Sequence, residues 1–433
     1  MTRIFSEFAY GPGPRAGCWW DETIAPPEWP EPGADTDADV GVIGGGFTGM
    51  SAALHLAKAG AKVVVFEANT PGWGASGRNG GFCCLGGSML DDAKLTRQFG
   101  AEGAQGYDHA EQDAVALVAD LLRDHNIDAD VHSKGETLLA HRPRDMAILR
   151  RKADDPSLEL IEPEDLVAHG MAGPFFGALT TPHGFALNPR KYLFGLAKAA
   201  QHAGADLFQN AQVTAITRAP SGFVLTTRQG RVRCKSVVIA TNGYSSETLP
   251  DWLAGRYMPS QSNVMVTRPL TENEIAAQGW SSGQMCYDTR GLLHYFRLMP
   301  DRRFLFGMRG GLVSSAAAEA SSRRRVRRDF DRMFPAWSHV EAPHMWSGMV
   351  CLARHRVPFV GQVPGEKSMF AGLAYHGNGV AMGSYCGKLL AGLVLGKDQV
   401  PVAMRQPLAR FPLGAMRRLV MPPLYAWRAL RDL

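Results

Sequence analysis

The chain has 433 residues, of which 45% are hydrophobic and 20% are charged. This balance is typical of a globular protein with a substantial core, and the length favours two domains or one domain with a large insertion. The formal net charge of +5 is a small excess for this length and does not predict nucleic-acid binding. The one dense basic run, Ser322 to Phe330, is interpreted as the solvated face of a helix.

The seven cysteines include no CxxC pair, which favours reduced thiols in a cytoplasmic protein and predicts no metal site. The adjacent residues Cys83 and Cys84 are predicted to fill apolar space, with a redox-active pair as the alternative. The first residues contain no continuous apolar stretch, so no signal peptide is expected. No window of 18 apolar residues occurs, so no transmembrane helix is expected.

The first part of the chain changes character at Asp39. Residues 1–38 are rich in Pro, Gly and Trp and predict an extended strap, attached to the main body by Trp19, Trp20 and Trp29. From Asp39 follow an apolar run, a helical pattern and a second apolar run. This order predicts a βαβ unit with parallel strands.

Four glycines fall within the ten residues "VGVIGGGFTG", between the first predicted strand and the helix. Gly44, Gly46 and Gly49 form the pattern G-x-G-x-x-G. In this context the first glycine permits a tight turn, the second lets a pyrophosphate approach the backbone, and the third lets the helix pack on the strand. Glu67 ends the second strand, where an acidic side chain accepts hydrogen bonds from a ribose. The pattern predicts a dinucleotide site.

The rest of the chain adds helices and a second group of strands. Residues 107–125 and 188–205 have helical spacing, and strands are predicted within 206–244. The β-branched and aromatic content of 256–312, with turn residues between the runs, predicts an antiparallel sheet. We find no internal repeat and no long flexible linker, so the two domains are expected to be interleaved in sequence.

Four stretches together resemble one family. They are "DVGVIGGGFTGMSAALHLAKAGAKVVVFEA", "PGWGASGRNGGF", "VVIATNGY" and "RVPFVGQVPGEKSMFAGLAYHGNGVAMGSYCGKLLAGLV". The chain resembles the FAD-dependent amine and amino-acid oxidoreductases that include glycine oxidase, sarcosine oxidase and D-amino-acid oxidase. Within that superfamily it is most similar to the γ-glutamylputrescine oxidoreductases. The resemblance covers roughly residues 18–400.

The resemblance implies an α/β fold, in which a Rossmann-like FAD-binding domain with a parallel sheet is interleaved with an α+β substrate domain on an antiparallel sheet. The expected division is: N-terminal strap 1–38; FAD-binding domain 39–90, 186–250 and 346–400; substrate domain 91–185 and 251–345; C-terminal extension 401–433. The residues then expected to bind FAD are Gly44, Gly46, Phe47, Thr48, Gly49, Glu67, Ala68, Gly74, Ala75, Ser76, Arg78, Asn79, Gly80, Gly81, Val213, Ala240, Thr241, Asn242, Gly348, Gly377, Asn378, Gly379, Val380, Ala381 and Met382.

The reaction implied is oxidation of a C–N bond by hydride transfer to the flavin, giving an imine that water hydrolyses. Candidate residues of the substrate pocket are His376, Tyr287, His294, Arg297, Arg309 and His355, and Tyr295 is a further candidate. Strand alternation places His294 and Tyr295 on opposite faces, without showing which face meets the flavin.

Two departures from the family pattern bear on substrate and cofactor. Members that oxidise α-amino acids hold the carboxylate with an arginine, and Val350 falls at that position. This favours a γ-glutamylputrescine-like or N-alkyl amine. Gly348 falls near the cysteine that tethers flavin in some members, so FAD is expected to bind non-covalently.

Several alternatives stay open. A D-amino-acid, glycine or sarcosine-type oxidase would require a pocket guanidinium from Arg297, Arg309 or Arg354. A non-catalytic FAD-binding partner subunit is a further alternative. The electron acceptor is O₂ or a quinone or carrier, and the oligomeric state is open. The basic, amphipathic segment 401–433 is expected to pack on its own domain because Pro422-Pro423 interrupts it; the alternative is a membrane surface.

Overall fold

The computed structural model describes residues 2–33, 35–311 and 313–432. The α-helices are α1 (Trp20–Thr23), α2 (Phe47–Lys58), α3 (Asp92–Asp124), α4 (Pro143–Lys152), α5 (Pro189–His202), α6 (Glu272–Gln278), α7 (Ala316–Met333), α8 (Ala381–Val394) and α9 (Met421–Arg431). Short 3₁₀ helices lie at Glu7–Tyr10, Ala75–Gly77, Pro163–Asp165, Asn242–Tyr244, Asp251–Leu253, Pro335–Trp337, Val402–Arg405 and Gly414–Val420.

The strands are β1 (Thr36–Ile43), β2 (Val63–Phe66), β3 (Phe82–Cys83), β4 (Glu136–Leu139), β5 (Glu159–Ile161), β6 (Ala178–Thr181), β7 (Phe185–Ala186), β8 (Asp206–Phe208), β9 (Ala215–Ala219), β10 (Gly222–Thr226), β11 (Arg231–Ile239), β12 (Met258–Val266), β13 (Met285–Asp288), β14 (His294–Leu298), β15 (Phe304–Arg309), β16 (His344–Leu352), β17 (Phe359–Gln362) and β18 (Met369–Leu373).

The first sheet has the order β17-β18-β11-β1-β2-β8, and β10 and β9 add to it beside β11. Strands β18, β11, β1, β2 and β8 run parallel. Every residue of β2, "VVVF", is buried, as is typical of a parallel strand covered on both faces. Because Ile43 pairs with both Ile239 and Phe66, the carboxyl ends of three central strands meet at one edge.

Helices α2, α5 and α8 cover one face of this sheet, with α3 packed against α8. The buried face of α2 is rich in alanine, including Ala52, Ala53 and Ala57, which lets the helices approach closely. The beginnings of α2 and α8 therefore lie at the carboxyl edge. Helix α2 follows the turn after β1, and α8 follows the segment after β18.

The second sheet has the order β16-β12-β15-β14-β13-β4-β6-β5. Its pairings are antiparallel except for β13 and β4, which run parallel. Helix α7 covers one face through an aromatic cluster in which Phe304 and Phe334 have ring centroids 4.8 Å apart. The opposite face turns towards the first sheet. The predicted fold class, a parallel Rossmann-like sheet interleaved with an antiparallel sheet, is confirmed.

The bounds of several strands and helices differ from those expected from the sequence. Strand β1 begins at Thr36, before the expected end of the strap. Strand β16 lies in the second sheet although most of it falls after residue 345. The helix expected at 107–125 begins at Asp92 and is broken at Gly100, which has a φ of 77°. Pro422 and Pro423 do not interrupt a helix, because they stand in the first turn of α9, where proline is tolerated.

The strap is attached as expected. Trp20 is buried against Trp346, and its Nε1 donates a hydrogen bond to the carbonyl oxygen of Asn79 at 2.8 Å. Trp29 is buried in the core of the first domain. Among the described residues, no helix has the length and apolar character needed to cross a bilayer.

Candidate functional site

A cavity of about 380 Å³ begins at the carboxyl edge of the first sheet and extends to the inner face of the second sheet. One end is lined by the glycine turn after β1, the end of β2 and Val213. The other end is lined by residues of β12, β13, β14 and β15. A continuous cavity between the two sheets suits an elongated ligand that meets a second molecule at one end.

The turn after β1 has backbone geometry that only glycine allows. Gly44 has a φ of +111°, and a Cβ there would lie 2.7 Å from the carbonyl oxygen of Ala240. A Cβ on Gly49 would lie 1.9 Å from the carbonyl oxygen of Gly44. These glycines therefore let α2 begin directly against the turn, with the backbone bare on the cavity side.

Two helices begin at the cavity without a side-chain cap. Helix α2 follows Gly46 and α8 follows Val380, and neither residue caps the helix through its side chain. The N–H group of Phe47 donates to the hydroxyl of Ser76 at 3.0 Å. Helix N-termini carry partial positive charge, so the cavity favours anionic groups beside Gly46 and beside Val380.

Glu67 stands at the end of β2 on the cavity wall. Its carboxylate accepts hydrogen bonds from the N–H groups of Gly45 and Asn69, both at 3.0 Å. Burial raises the pKa of Glu67, while these backbone donors act in the opposite direction. The carboxylate is thus held at the place where a ribose would follow a pyrophosphate on the glycine turn.

The glycine-rich stretch from Gly74 to Gly81 forms the middle of the cavity wall. Arg78 is buried there; its Nε donates to the carbonyl oxygen of Trp73 at 2.7 Å and its Nη1 to that of Ser347 at 3.2 Å. Its Nη2 is buried without a hydrogen-bond partner. An unpaired buried guanidinium nitrogen beside a cavity indicates that a ligand supplies an acceptor.

Most of the residues expected to bind the cofactor line this one cavity, although they come from seven separate parts of the chain. The exceptions are Gly49, Gly81, Ala381 and Met382. Gly49 lies behind the turn, against Gly44. Gly81 is also behind the wall, where its carbonyl oxygen accepts from Arg297 at 3.0 Å. Ala381 and Met382 belong to the buried first turn of α8.

Comparison with known proteins identifies the family to which the chain belongs. Residues 39–393 match the family model DAO, described as FAD dependent oxidoreductase. The chain belongs to the DAO family of FAD-dependent oxidoreductases. The prediction of FAD as cofactor and of an oxidoreductase is thereby confirmed.

The similar proteins extend over nearly the whole chain. A probable oxidoreductase OrdL from Rhizobium meliloti (strain 1021) is 31% identical over 96% of this chain and 97% of its own length. Gamma-glutamylputrescine oxidoreductase from Escherichia coli (strain K12) is 29% identical, covering 91% and 92% of the two chains. The solved structure of glycine oxidase from Geobacillus kaustophilus shares the fold with a TM-score of 0.71, at 21% identity over 86% of this chain and 100% of that one.

The cavity fits FAD on observations independent of family. The glycine turn and the uncapped start of α2 suit a pyrophosphate, and the uncapped start of α8 suits the negative charge of a reduced flavin. The unpaired Nη2 of Arg78 awaits an acceptor in the middle of the cavity.

The six predicted pocket residues divide evenly between cavity and core. Tyr287, Arg309 and His376 line the cavity. The side chain of Arg309 lies against Gly377, where a Cβ would be 2.5 Å from Nη2. Tyr295 also lines the cavity, and its hydroxyl is 2.9 Å from that of Ser262. Strand β14 therefore turns Tyr295, and not His294, towards the FAD-binding domain.

His294, Arg297 and His355 do not line the cavity. His294 lies on the other face of the second sheet, with Nδ1 2.8 Å from Asp288, whose charge raises the pKa of the imidazole. Arg297 donates to the carbonyl oxygens of Gly81 and Leu187, which braces the glycine stretch from behind. Burial lowers the pKa of His355 to about 4. These positions do not support the pocket roles expected for the three residues.

Sequence reasoning missed Glu136, at the start of β4. This side chain lines the end of the cavity next to the second sheet and is 6% exposed. Burial raises its pKa to about 7, while the nearby Cys84 thiol acts in the opposite direction. Among the described residues of the cavity wall, the acidic side chains are Glu67 and Glu136. A strand this short, without alternating polar and apolar residues, gives little indication of which side chains face a cavity. The one signal in the sequence was a glutamate within the apolar run "GETLLA".

Proposed function

We propose that FAD lies along the cavity, with its pyrophosphate at Gly44 and Gly46, its ribose at Glu67 and its adenine near Val213. The flavin then lies against Gly348 and the residues from Gly377 to Val380. The backbone geometry of the glycine turn and the two uncapped helix starts support this placement. It leaves the space between the flavin and the second sheet for a substrate.

The proposed reaction is oxidation of the C–N bond in a primary or secondary amine, giving an imine that water hydrolyses to an aldehyde and an amine or ammonia. Bound FAD supplies the acceptor for the hydride that leaves the carbon next to nitrogen. The observation that carries this proposal is Glu136, a buried carboxyl group at the substrate end of the cavity. A buried carboxylate requires a partner, and a substrate ammonium group provides one.

Glu136 would act on the substrate in two ways. Its carboxylate first pairs with the ammonium nitrogen and so orients the adjacent carbon. A carboxylate oxygen then accepts one proton from that nitrogen, which becomes a neutral amine with a free lone pair. The raised pKa of Glu136, about 7, makes the carboxyl group a suitable acceptor for this proton. Tyr287 and Tyr295 line the same cavity, and their rings would shield this proton transfer from water.

The substrate class follows from the second charge in the pocket. A γ-glutamyl group carries a carboxylate, and Arg309 is placed on the cavity wall to bind one. Val350, which lines the cavity at the position expected for the carboxylate-binding arginine of amino-acid oxidases, offers no charge. The similarity to gamma-glutamylputrescine oxidoreductase adds support for a γ-glutamylated or N-alkyl amine.

A deaminating amino-acid oxidase is the second candidate, and Arg309 is the observation that favours it. In that reaction Arg309 would hold the carboxylate on the reacting carbon itself. Of the three arginines named for this role, Arg297 is bound to backbone carbonyls and Arg354 is exposed outside the cavity. Arg309 alone among those three lines the cavity.

Anaerobic reduction of the bound flavin tests the proposal. We expect γ-glutamylputrescine or an N-methyl amine to bleach the visible absorbance of the holoenzyme, and D-alanine and glycine to leave it unchanged. Arg309→Met should reduce the bleaching by γ-glutamylputrescine and leave the bleaching by an N-methyl amine without a carboxylate unchanged. Bleaching by D-alanine or glycine that Arg309→Met abolishes would establish the second candidate instead. Re-oxidation by air and by a quinone analogue, compared side by side, identifies the acceptor.

A further inference from the structure

The C-terminal segment exposes an unusual concentration of apolar side chains. Among the residues whose side chains the structure describes, thirteen large apolar ones are exposed. Six of these lie within 413–430, and we call them the C-terminal apolar face: Leu413, Met416, Leu419, Leu424, Trp427 and Leu430. A cluster of exposed apolar side chains indicates a surface that contacts another protein or a membrane.

The helix types place the exposed apolar residues at regular spacings. Residues three apart align in a 3₁₀ helix, so Met416 and Leu419 share one side of Gly414–Val420, and Leu413 directly precedes that helix. Helix α9 follows without a gap and presents Leu424, Trp427 and Leu430 at spacings of three residues.

The opposite side of the segment is fixed to the protein by polar contacts. Arg417 is fully buried, and its Nη2 is 2.6 Å from the carboxylate of Glu247. The hydroxyl of Tyr425 is 2.6 Å from that of Ser260. The carboxylate of Asp432 accepts hydrogen bonds from two backbone N–H groups in the loop before β14. The segment is therefore anchored, and its apolar face is directed outwards by the packing.

The charge of the segment indicates what covers this face. Residues 399–431 contain six arginines and no aspartate or glutamate; Arg417 is buried in its ion pair with Glu247 and Arg405 pairs with Asp398, so these two do not count towards an outside partner. Arg410 and Arg431 are exposed, and the guanidinium of Arg431 lies 4.7 Å from the centre of the Trp427 ring, within the apolar face. Apolar side chains flanked by arginines, with an interfacial tryptophan, match the surface of an anionic bilayer. A two-fold copy of the chain would bring the same arginines together, which disfavours self-association.

We propose that the C-terminal apolar face docks on the surface of an anionic lipid bilayer. The six side chains enter the boundary between headgroups and acyl chains, and the neighbouring arginines contact lipid phosphates. The anchoring contacts place the lipid close to the substrate end of the cavity, because Ser260 and the loop before β14 adjoin cavity-lining Ser262 and Leu293. The proposal is independent of which amine the protein oxidises.

Vesicle flotation of the holoenzyme tests the docking. We expect the protein to float with vesicles of equal parts phosphatidylcholine and phosphatidylglycerol, to remain behind with phosphatidylcholine alone, and to be released by high salt. The affinity of the double variant Leu419→Asp/Trp427→Asp for these vesicles should be lower by about tenfold or more. Its matched control is Val131→Asp/Val167→Asp, which changes two exposed apolar residues elsewhere and should bind like the parent. Flavin content and melting temperature should be unchanged in both.

Three results would overturn the proposal. The first is a parent holoenzyme that does not float with anionic vesicles. The second is a Leu419→Asp/Trp427→Asp variant that binds them as well as the parent does. The third is a dimer of the parent, measured by light scattering without lipid, that this variant dissociates, since a second copy then covers the apolar face.

Discussion

The imidazole of His376 donates its Nδ1 proton to the carbonyl oxygen of Gly87 at 2.7 Å. Its Nε2 accepts a hydrogen bond from the backbone N–H of Ala353 at 3.0 Å, so the ring joins two segments of the cavity wall. Because both nitrogens are engaged and burial lowers the pKa of His376 to about 4, the ring stays neutral and has no proton to exchange with substrate. Its place in the cavity wall indicates a structural role instead.

Replacement of His376 should therefore change stability more than chemistry. His376→Leu leaves a buried carbonyl and a buried N–H unpaired and should cost about 2–4 kcal/mol in the free energy of unfolding. His376→Asn retains a donor and tolerates the φ of 49° at this position, so it should cost less. Urea unfolding of the holoenzymes measures the difference. A neutral-range limb of the pH–rate profile that disappears in His376→Asn would instead give the ring a catalytic role.

Amine binding should depend on pH through Glu136. An ammonium ion binds the ionised carboxylate, and the pKa of Glu136 is raised to about 7. The Kd of an amine substrate should fall by about tenfold per unit between pH 5 and pH 7 and level off above pH 7. Glu136→Gln should remove this dependence and weaken binding at pH 8, as measured by flavin spectral titration. Equal pH dependence in the Gln variant would exclude Glu136 as the ammonium partner.

The same substitution should stabilise the fold without substrate. A carboxyl group whose pKa rises from 4.5 in the unfolded chain to about 7 in the folded protein destabilises the fold once it ionises. Glu136→Gln should therefore raise the free energy of unfolding at pH 8 by roughly 3 kcal/mol and leave it nearly unchanged at pH 4. Denaturant titrations at both pH values provide the comparison. A loss of stability at pH 8 would mean that the hydrogen bond with the Cys84 thiol outweighs the cost of burying the ionised Glu136.

The glycine turn gives a prediction for cofactor affinity. Gly49→Ala places a Cβ 1.9 Å from the carbonyl oxygen of Gly44, so the turn must open and FAD content should fall about tenfold or more. Gly106→Ala is the matched control, because no atom lies within 4 Å of the added methyl group within α3. That control should keep its flavin and gain about 0.5–1 kcal/mol of stability. Full flavin content in Gly49→Ala would contradict the role of the turn.

Non-covalent attachment of FAD follows from the surroundings of the flavin end. Cys351 lines the cavity, and burial raises its pKa to about 12, so its thiol remains protonated and a poor nucleophile. Acid precipitation should leave a colourless pellet and a yellow supernatant. Cys351→Ser should give the same result. A coloured pellet from the parent chain and a colourless one from the Ser variant would demonstrate a covalent link.

The end of the cavity at the glycine turn could be predicted from the sequence because its signals are local. The spacing of Gly44, Gly46 and Gly49 and the position of Glu67 at a strand end reflect steric and hydrogen-bonding needs of adjacent residues. The alternation of apolar and turn residues likewise predicted both sheets. These features require no knowledge of which distant segments meet.

The substrate end was less predictable because it depends on distant pairings. Glu136 reaches the cavity only because β4 pairs with β13, a strand far away in sequence. Alternation separated His294 from Tyr295 correctly, but only the packing of α7 on one face shows that Tyr295 turns towards the cavity. Similarly, the sequence does not show that both ring nitrogens of His376 are engaged in hydrogen bonds, with Gly87 and with Ala353.

The alternation of the chain between its two sheets limits how this protein can be divided or rebuilt. It crosses from one sheet to the other four times between β2 and β17, so no uninterrupted fragment carries one sheet whole without strands of the other. A gene fusion or recombination event cannot exchange the substrate-facing sheet as a cassette. A change in substrate preference must therefore arise by replacing individual side chains while the two sheets stay intact. We expect the first such replacements at the cavity-lining positions Glu136, Tyr287, Tyr295 and Arg309.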